Sequence, residues 1–265
     1  MDFHVHIYGW PAPADVDLAE VARFVRGLVG GEVHLTPSLA VPPERLDAIA
    51  AALALARVLN PYQPAVPRKP LPMEIEYEKR RLLEPSDLRV GIVYDGFMLS
   101  EIARGLLPEQ GRRRSELYVV FTDQLVGTLD PDDRRYHART AIFSVPVIIS
   151  SAGLVHAPAR PRDYYLIRHA FRTAGGEMLA GEGAEAVLRE ELGRRWLDRG
   201  DTRMTDVAKG YAAQALAFQL FGHPFCDDPL CRLFNAHRQE EMLRAQLEGP
   251  DFCEKHRRMF EEAGR

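Results

Sequence analysis

Hydrophobic positions in the first 160 residues fall into two alternating patterns. Short apolar runs rich in β-branched and aromatic residues predict strands, at residues 2–8, 32–35, 89–94, 117–123 and 141–150. Apolar residues at helical spacing between these runs predict helices, at about 15–29, 43–58 and 97–107. Either Asp15 or Asp17 can cap the first helix. Alternation of strands and helices along one segment predicts an α/β layer.

Breaker residues separate these elements, and the pattern changes beyond residue 160. Proline density predicts a loop over 60–72, and an Asp-rich stretch with Gly127 and Pro131 predicts another over 126–136. The remaining pattern is helical, with predicted helices at 163–173, 184–197, 204–221, 236–247 and 252–262. We therefore expect an α/β (α+β) fold with a mixed sheet over residues 1–160 and a helical part over 161–265. The two parts are expected to form one compact unit.

Composition indicates the class of protein, its partners and its location in the cell. The chain has 265 residues, of which 46% are hydrophobic and 27% charged, with a formal net charge of -4. These values are typical of a globular protein, and the mild acidity gives no reason to expect nucleic acid or an anionic membrane as a partner. No apolar run approaches the roughly 20 residues of a spanning helix, and the N-terminus lacks a signal-peptide pattern. We expect a cytoplasmic protein.

All three cysteines lie in the last 40 residues, at Cys226, Cys231 and Cys253, and His256 follows the third in a C-x2-H step. Three thiols cannot all pair as disulfides, and clustered thiols in a reducing compartment more often bind metal. Tetrahedral structural zinc takes four sulfur or nitrogen ligands, which predicts one Zn²⁺ at these four residues. A closed shell of this kind stabilises a fold without performing chemistry. In the alternative interpretation, the cysteines are small buried hydrophobes and the histidine is incidental.

The residues around this cluster have the spacing of a known family. Gly222 is followed by the C-x4-C pair Cys226 and Cys231, then by Leu233, by the run Gln239-Glu240-Glu241, and by Cys253 with His256. From Met204 to its end, the chain resembles the archaemetzincins. These are zinc metallopeptidases that carry HExxHxxGxxH, C-x4-C, a Met-turn and a later CxxC. Gly222 matches the motif's glycine and Leu233 the Met-turn methionine, while C-x2-H replaces CxxC. The resemblance implies a metzincin-like fold.

The catalytic residues of that motif are missing from the helix predicted over 204–222. Ala215, Gln219 and Phe225 occupy the three histidine positions, and Leu216 stands at the position of the general-base glutamate. Alanine and phenylalanine offer no lone pair, and one amide cannot hold a catalytic zinc. The resemblance therefore implies an inactive homologue that retains a structural zinc and uses the former cleft to bind a peptide or protein. The alternative is a plain buried helix capped by Gly222.

A competing hypothesis places an active metal elsewhere. The His4-Val5-His6 step is similar to the HxH on the first strand of metal-dependent amidohydrolases, and both imidazoles of such a step point to one face of a strand. His223 could complete the set if the three imidazoles converge in one cleft, which would make the protein a working hydrolase. Otherwise His4 and His6 belong to a partly exposed strand face.

Overall fold

Two β-sheets form the framework of the protein. The computed structural model describes residues 3–64, 68–84, 91–108, 115–175, 188–190 and 192–264. The strands are β1 (His4–Gly9), β2 (Glu32–Thr36), β3 (Val93–Asp95), β4 (Glu116–Thr122), β5 (Leu125–Asp130), β6 (Arg135–Arg139), β7 (Ala141–Ile142) and β8 (Val147–Ser150). The larger sheet has the order β2-β1-β4-β8-β7, and the smaller has the order β3-β5-β6. Strands β2, β1, β4 and β8 are parallel, whereas the edge strand β7 runs antiparallel to β8.

Nine α-helices surround these sheets in the described part of the chain. They are α1 (Leu18–Val29), α2 (Leu46–Ala56), α3 (Pro72–Leu83), α4 (Gly96–Arg104), α5 (Ser151–His156), α6 (Arg162–Gly175), α7 (Met204–Phe221), α8 (Gln239–Leu243) and α9 (Glu254–Ala263). Asp17 is the residue that caps α1, because its carboxylate accepts hydrogen bonds from the Ala19 and Glu20 amides. The helix ends at Gly30, whose φ of 60° is readily adopted only by glycine.

Successive side chains of the central strands point to opposite faces of the sheet, and this produces two separate hydrophobic cores. Val5 and Ile7 of β1 point to one face of the sheet, where α1 and α7 cover them. Tyr8 and Tyr118 point to the other face, which packs against α2 and α4. The first core contains residues from both parts of the chain, for example Phe3 and Leu216. The predicted α/β fold with a mixed sheet is confirmed.

The loop predicted over 126–136 is wrong, because β5 and β6 form an antiparallel hairpin there. Only its turn, around Pro131 and Arg134 (φ 55°), is irregular. Gly127 does not break the strand. A side chain there would approach the His137 carbonyl to 2.9 Å, so the glycine permits close contact between the two strands. The apolar run at 141–150 likewise forms two short strands, β7 and β8, separated by a turn with a cis Val145–Pro146 bond.

The helical prediction for the C-terminal part agrees with the structure in most places. Helices α6, α7 and α9 lie at predicted positions, and α8 continues into a π-helical turn at Arg244–Glu248. Helix α3 was not predicted. Of the strand predicted at 89–94 and the helix at 184–197, residues 89–90, 184–187 and 191 lie outside the described residues. No helix in the described ranges has the length and hydropathy needed to cross a membrane.

Candidate metal centre

The end of α7 and the start of α9 bring the three cysteines and His256 together. Helix α7 ends at Gly222, which has a φ of 79°, and the chain then turns back so that the Cys226 amide donates to the Leu233 carbonyl. Within this turn the Cys231 amide donates to the Asp228 carbonyl. Cys253 occupies the N-cap position of α9, so His256 follows in its first turn. Backbone hydrogen bonds and a helix start thus position all four side chains.

The distances within this cluster suit a tetrahedral metal. Cys226 Sγ lies 3.9 Å from Cys253 Sγ, and His256 Nδ1 lies 3.2 Å from Cys253 Sγ and 3.8 Å from Cys231 Sγ. All four ligand atoms lie within 4.8 Å of one another. Around zinc, tetrahedral geometry gives edges of about 3.8 Å between two sulfurs and about 3.5 Å between sulfur and nitrogen. The donor set therefore fits Zn²⁺ and supplies a complete shell of four ligands.

Burial sets the protonation state of these ligands in the absence of a metal. It raises the pKa of the Cys226 thiol above its usual value and that of Cys231 to about 12. Burial, followed by the charges of Lys255 and His223, lowers the pKa of the His256 imidazole. Without a metal, burial thus favours the neutral forms of Cys226, Cys231 and His256, and a bound cation would displace the protons of the two thiols.

The four positions that the resemblance aligns with catalytic residues carry side chains unsuited to a metal. Ala215 and Leu216 are both 0% exposed and belong to the core beneath the sheet. Gln219 is half-buried. Phe225 is 40% exposed, and its ring packs edge-on against Phe143 with centroids 5.5 Å apart. These four positions, three in α7 and one in the loop after it, thus present hydrocarbon and one amide.

A cavity of about 270 Å³ lies between the edge of the sheet and α7. The turn from β6 into β7 forms one wall, and α7 with the loop before α8 forms the other. Phe143, Phe225 and Phe234 supply apolar surface, and Tyr211 and His237 supply polar atoms. Gln214 also lines this cavity, and its amide group donates to the Arg232 and Phe234 carbonyls at 3.3 and 3.2 Å. Among the four positions described above, Phe225 lines this cavity.

His4, His6 and His223 do not converge. His4 and His6 alternate with Val5 and Ile7, so they lie on the sheet face opposite to α7. His223 instead follows α7, and the centroid of its ring lies 6.5 Å from that of the His256 ring. No described cluster of potential ligands joins His223 to either of the other two. His4 instead lies beside Glu32 and His34 of β2. The sequence analysis missed these two residues because their position depends on the pairing of β1 with β2.

The chain belongs to the family described as "Probable metallopeptidase family (DUF6775)", whose model matches residues 1–263. The resemblance seen in the sequence is thereby confirmed at the level of the family.

Two solved structures are similar to the chain. Archaemetzincin from Methanopyrus kandleri shares 13% identity over 99% of this chain and 96% of that chain, with a TM-score of 0.49. A zinc-dependent peptidase from Methanocorpusculum labreanum (strain Z) shares 12% identity over 97% and 99% of the two chains, with a TM-score of 0.42. No curated protein matches the chain.

Proposed function

We propose that this protein is a catalytically inactive member of its metallopeptidase family that binds one structural zinc and a peptide or protein segment. The observation that carries the proposal is the contrast between the cysteine–histidine cluster and the nearby positions of α7. Cys226, Cys231, Cys253 and His256 have the separations of a closed zinc shell. Ala215 and Leu216, by contrast, are hydrocarbon inside the core.

The closed shell supports a structural role for the zinc. Catalytic zinc sites keep one position for water or substrate, whereas four protein ligands fill a tetrahedral shell. Cys231 and His256 are also 0% and 1% exposed, which leaves substrate no access to their side of the ion. The ion would instead join the loop after α7 to α9. Three free thiols used as ligands also favour the reducing environment of the cytoplasm, which we propose as the location.

The cavity beside α7 supports peptide binding. Strand β7 pairs with β8 on one side, no described strand pairs with its other edge, and its residue Ala141 lines the cavity. An extended peptide can add to such an edge through main-chain hydrogen bonds, with its side chains in neighbouring pockets. Phe143 and Phe225 would contact apolar side chains of the peptide. The cavity is too small for a folded domain but suits a few residues of extended chain.

A paired assay tests both halves of this proposal. The purified protein should contain one zinc per chain and should not hydrolyse unfolded casein, with an active zinc metallopeptidase as the reference. Fluorescence anisotropy with a library of labelled, unstructured peptides should then reveal binders. Phe225→Asp should weaken their binding at least tenfold, because a charge would replace an apolar contact in the cavity.

Leu230→Asp is the matched control. Leu230 lies in the same loop and is similarly exposed, at 42%, but does not line the cavity. It should bind peptides like the unmodified protein. Zinc-dependent cleavage of casein would overturn the proposed inactivity. Equal binding by the Phe225 and Leu230 variants would refute the cavity as the peptide site.

A further inference from the structure

Three histidines and a tyrosine form a row of stacked rings on the face of the main sheet opposite to α7, away from the C-terminal cluster. The ring centroids of His6 and His34 are 4.9 Å apart, and those of His6 and Tyr118 are 4.6 Å apart. Parallel pairing of β1 with β2 and β4 places these residues side by side. His4 continues the row, with its ring 5.9 Å from that of His34.

Glu32 lies between two of these imidazoles. Its Oε2 atom is 3.5 Å from His4 Nδ1 and 3.4 Å from His34 Nε2. These separations are long for hydrogen bonds. They match the nitrogen–oxygen edge of about 3.4 Å in a tetrahedral zinc site with these ligand types. The three ligand atoms all lie within 4.8 Å of one another.

We propose that His4, Glu32 and His34 form a second metal site, which takes one divalent transition-metal ion such as Zn²⁺. Two imidazoles and one carboxylate are ligands that zinc accepts readily, whereas Mg²⁺ and Ca²⁺ prefer shells made of oxygen atoms. The His34 ring stacks on His6, which in turn stacks on Tyr118, and this holds His34 in place so that less freedom is lost on binding. No described lysine or arginine forms an ion pair with Glu32, so its negative charge is available to a cation.

The exposure of the three proposed ligands determines how tightly the site would bind its metal. The side chains of His4, His34 and Glu32 are 35%, 50% and 71% exposed. Three protein ligands leave at least one coordination position to water. Binding should therefore be reversible and of micromolar affinity, in contrast to the zinc proposed for the buried cluster. The new site goes beyond the proposed function and does not depend on it.

A competing ligand group lies in the β5–β6 hairpin, at Asp130, Asp133 and His137. It is a weaker candidate because its charges are already paired. Asp133 Oδ2 lies 2.7 Å from His137 Nε2 and 2.9 Å from the guanidinium of Arg135. A metal would have to displace both contacts.

Calorimetric titration with ZnCl₂ tests the assignment on the full chain without a purification tag. The protein is first treated with EDTA and exchanged into chelator-free buffer, and its residual zinc is counted. The residual zinc reports on the cysteine cluster alone. An absence of zinc at that cluster is therefore distinguishable from an absence of binding at His4, Glu32 and His34. The titration should then show one further Zn²⁺ per chain with a micromolar Kd.

Four variants locate this ion. His34→Gln and Glu32→Gln should each weaken the additional binding at least tenfold. His169→Gln removes an exposed histidine on α6 and should leave the Kd unchanged. The proposal is overturned if the unmodified protein takes up no further zinc, or if the His34 and Glu32 variants bind as it does. Loss of binding in His137→Gln alone would instead assign the ion to the hairpin.

Discussion

At the scale of single residues, two kinds of position in and around α7 have opposite chemistry. Cys231 and His256 are buried polar groups whose ligand atoms lie close together, an arrangement that a metal can satisfy. Ala215 and Leu216 are buried apolar groups that require no polar partner or metal. Both sets could be proposed from the sequence because a metal motif depends only on residue type and spacing. Glu32 and His34 could not, because their proximity to His4 depends on strand register, which spacing along the chain does not report.

Replacing individual ligands should separate a metal site from a hydrophobic cluster. Cys226→Ser and Cys253→Ser should lose the zinc and lower the melting temperature, because structural zinc supplies on the order of 10 kcal/mol in small modules and less beside a large core. His256→Cys should keep one zinc, since a thiolate completes an equivalent shell, whereas His256→Ala should lose it. Metal analysis and thermal denaturation measure both effects. Full metal content in the serine variants would contradict the assignment.

Restoring a histidine at the first degenerate position should not restore a metal. Ala215 is 0% exposed within the core, so Ala215→His would overpack it and bury a polar ring, at a cost of about 1–3 kcal/mol or more. Urea denaturation measures the loss. Gln219→Ala, at a half-buried position of the same helix, should change stability very little. A second tightly bound zinc in Ala215→His would show that the position still faces an open cleft.

At the scale of elements, strands with strong apolar runs and helices with clear spacing were predictable, and elements with mixed composition were not. The β5–β6 hairpin was missed because Gly127 looks like a breaker, although it serves the close approach of two strands. Helix α3 was missed because its inner face is charged. Glu78 is 0% exposed there and accepts hydrogen bonds from Arg57 and Tyr94 at 2.6 and 2.8 Å. Hydrophobic periodicity cannot detect an element held by a buried ionic network.

This buried ionic network predicts that the stability of the protein around α3 depends on Glu78. Glu78→Ala would leave Arg57 and the buried Arg81 without their carboxylate, and breaking a buried ion pair in this way costs about 3–5 kcal/mol. Chemical denaturation should show this loss. Glu76→Ala on the same helix removes only an exposed partner of Lys79 and should leave the unfolding midpoint unchanged. A loss below about 1 kcal/mol in Glu78→Ala would contradict a role for the network in stability.

At the scale of the whole molecule, stability should decrease on mild acidification. Burial lowers the pKa of His6 and His156 in the folded state below the value of about 6.5 expected when unfolded. Below that pH the unfolded chain binds more protons than the folded chain, so the free energy of unfolding falls as the pH falls. Melting temperatures in EDTA at pH 7.5 and 5.5 should show the decrease, and His6→Gln should reduce it. A higher melting temperature at pH 5.5 would contradict this sign.

The central claim concerns the whole molecule as well: one zinc ion, held entirely by protein ligands, stabilises a chain that has lost its catalytic metal. X-ray absorption at the zinc edge of the EDTA-treated protein tests this claim most directly. We predict three sulfur neighbours at about 2.3 Å and one nitrogen at about 2.0 Å, with no oxygen neighbour. A shell of nitrogen and oxygen atoms with an open or water-filled position would contradict the account, because it would place the tightly bound zinc in a site capable of catalysis.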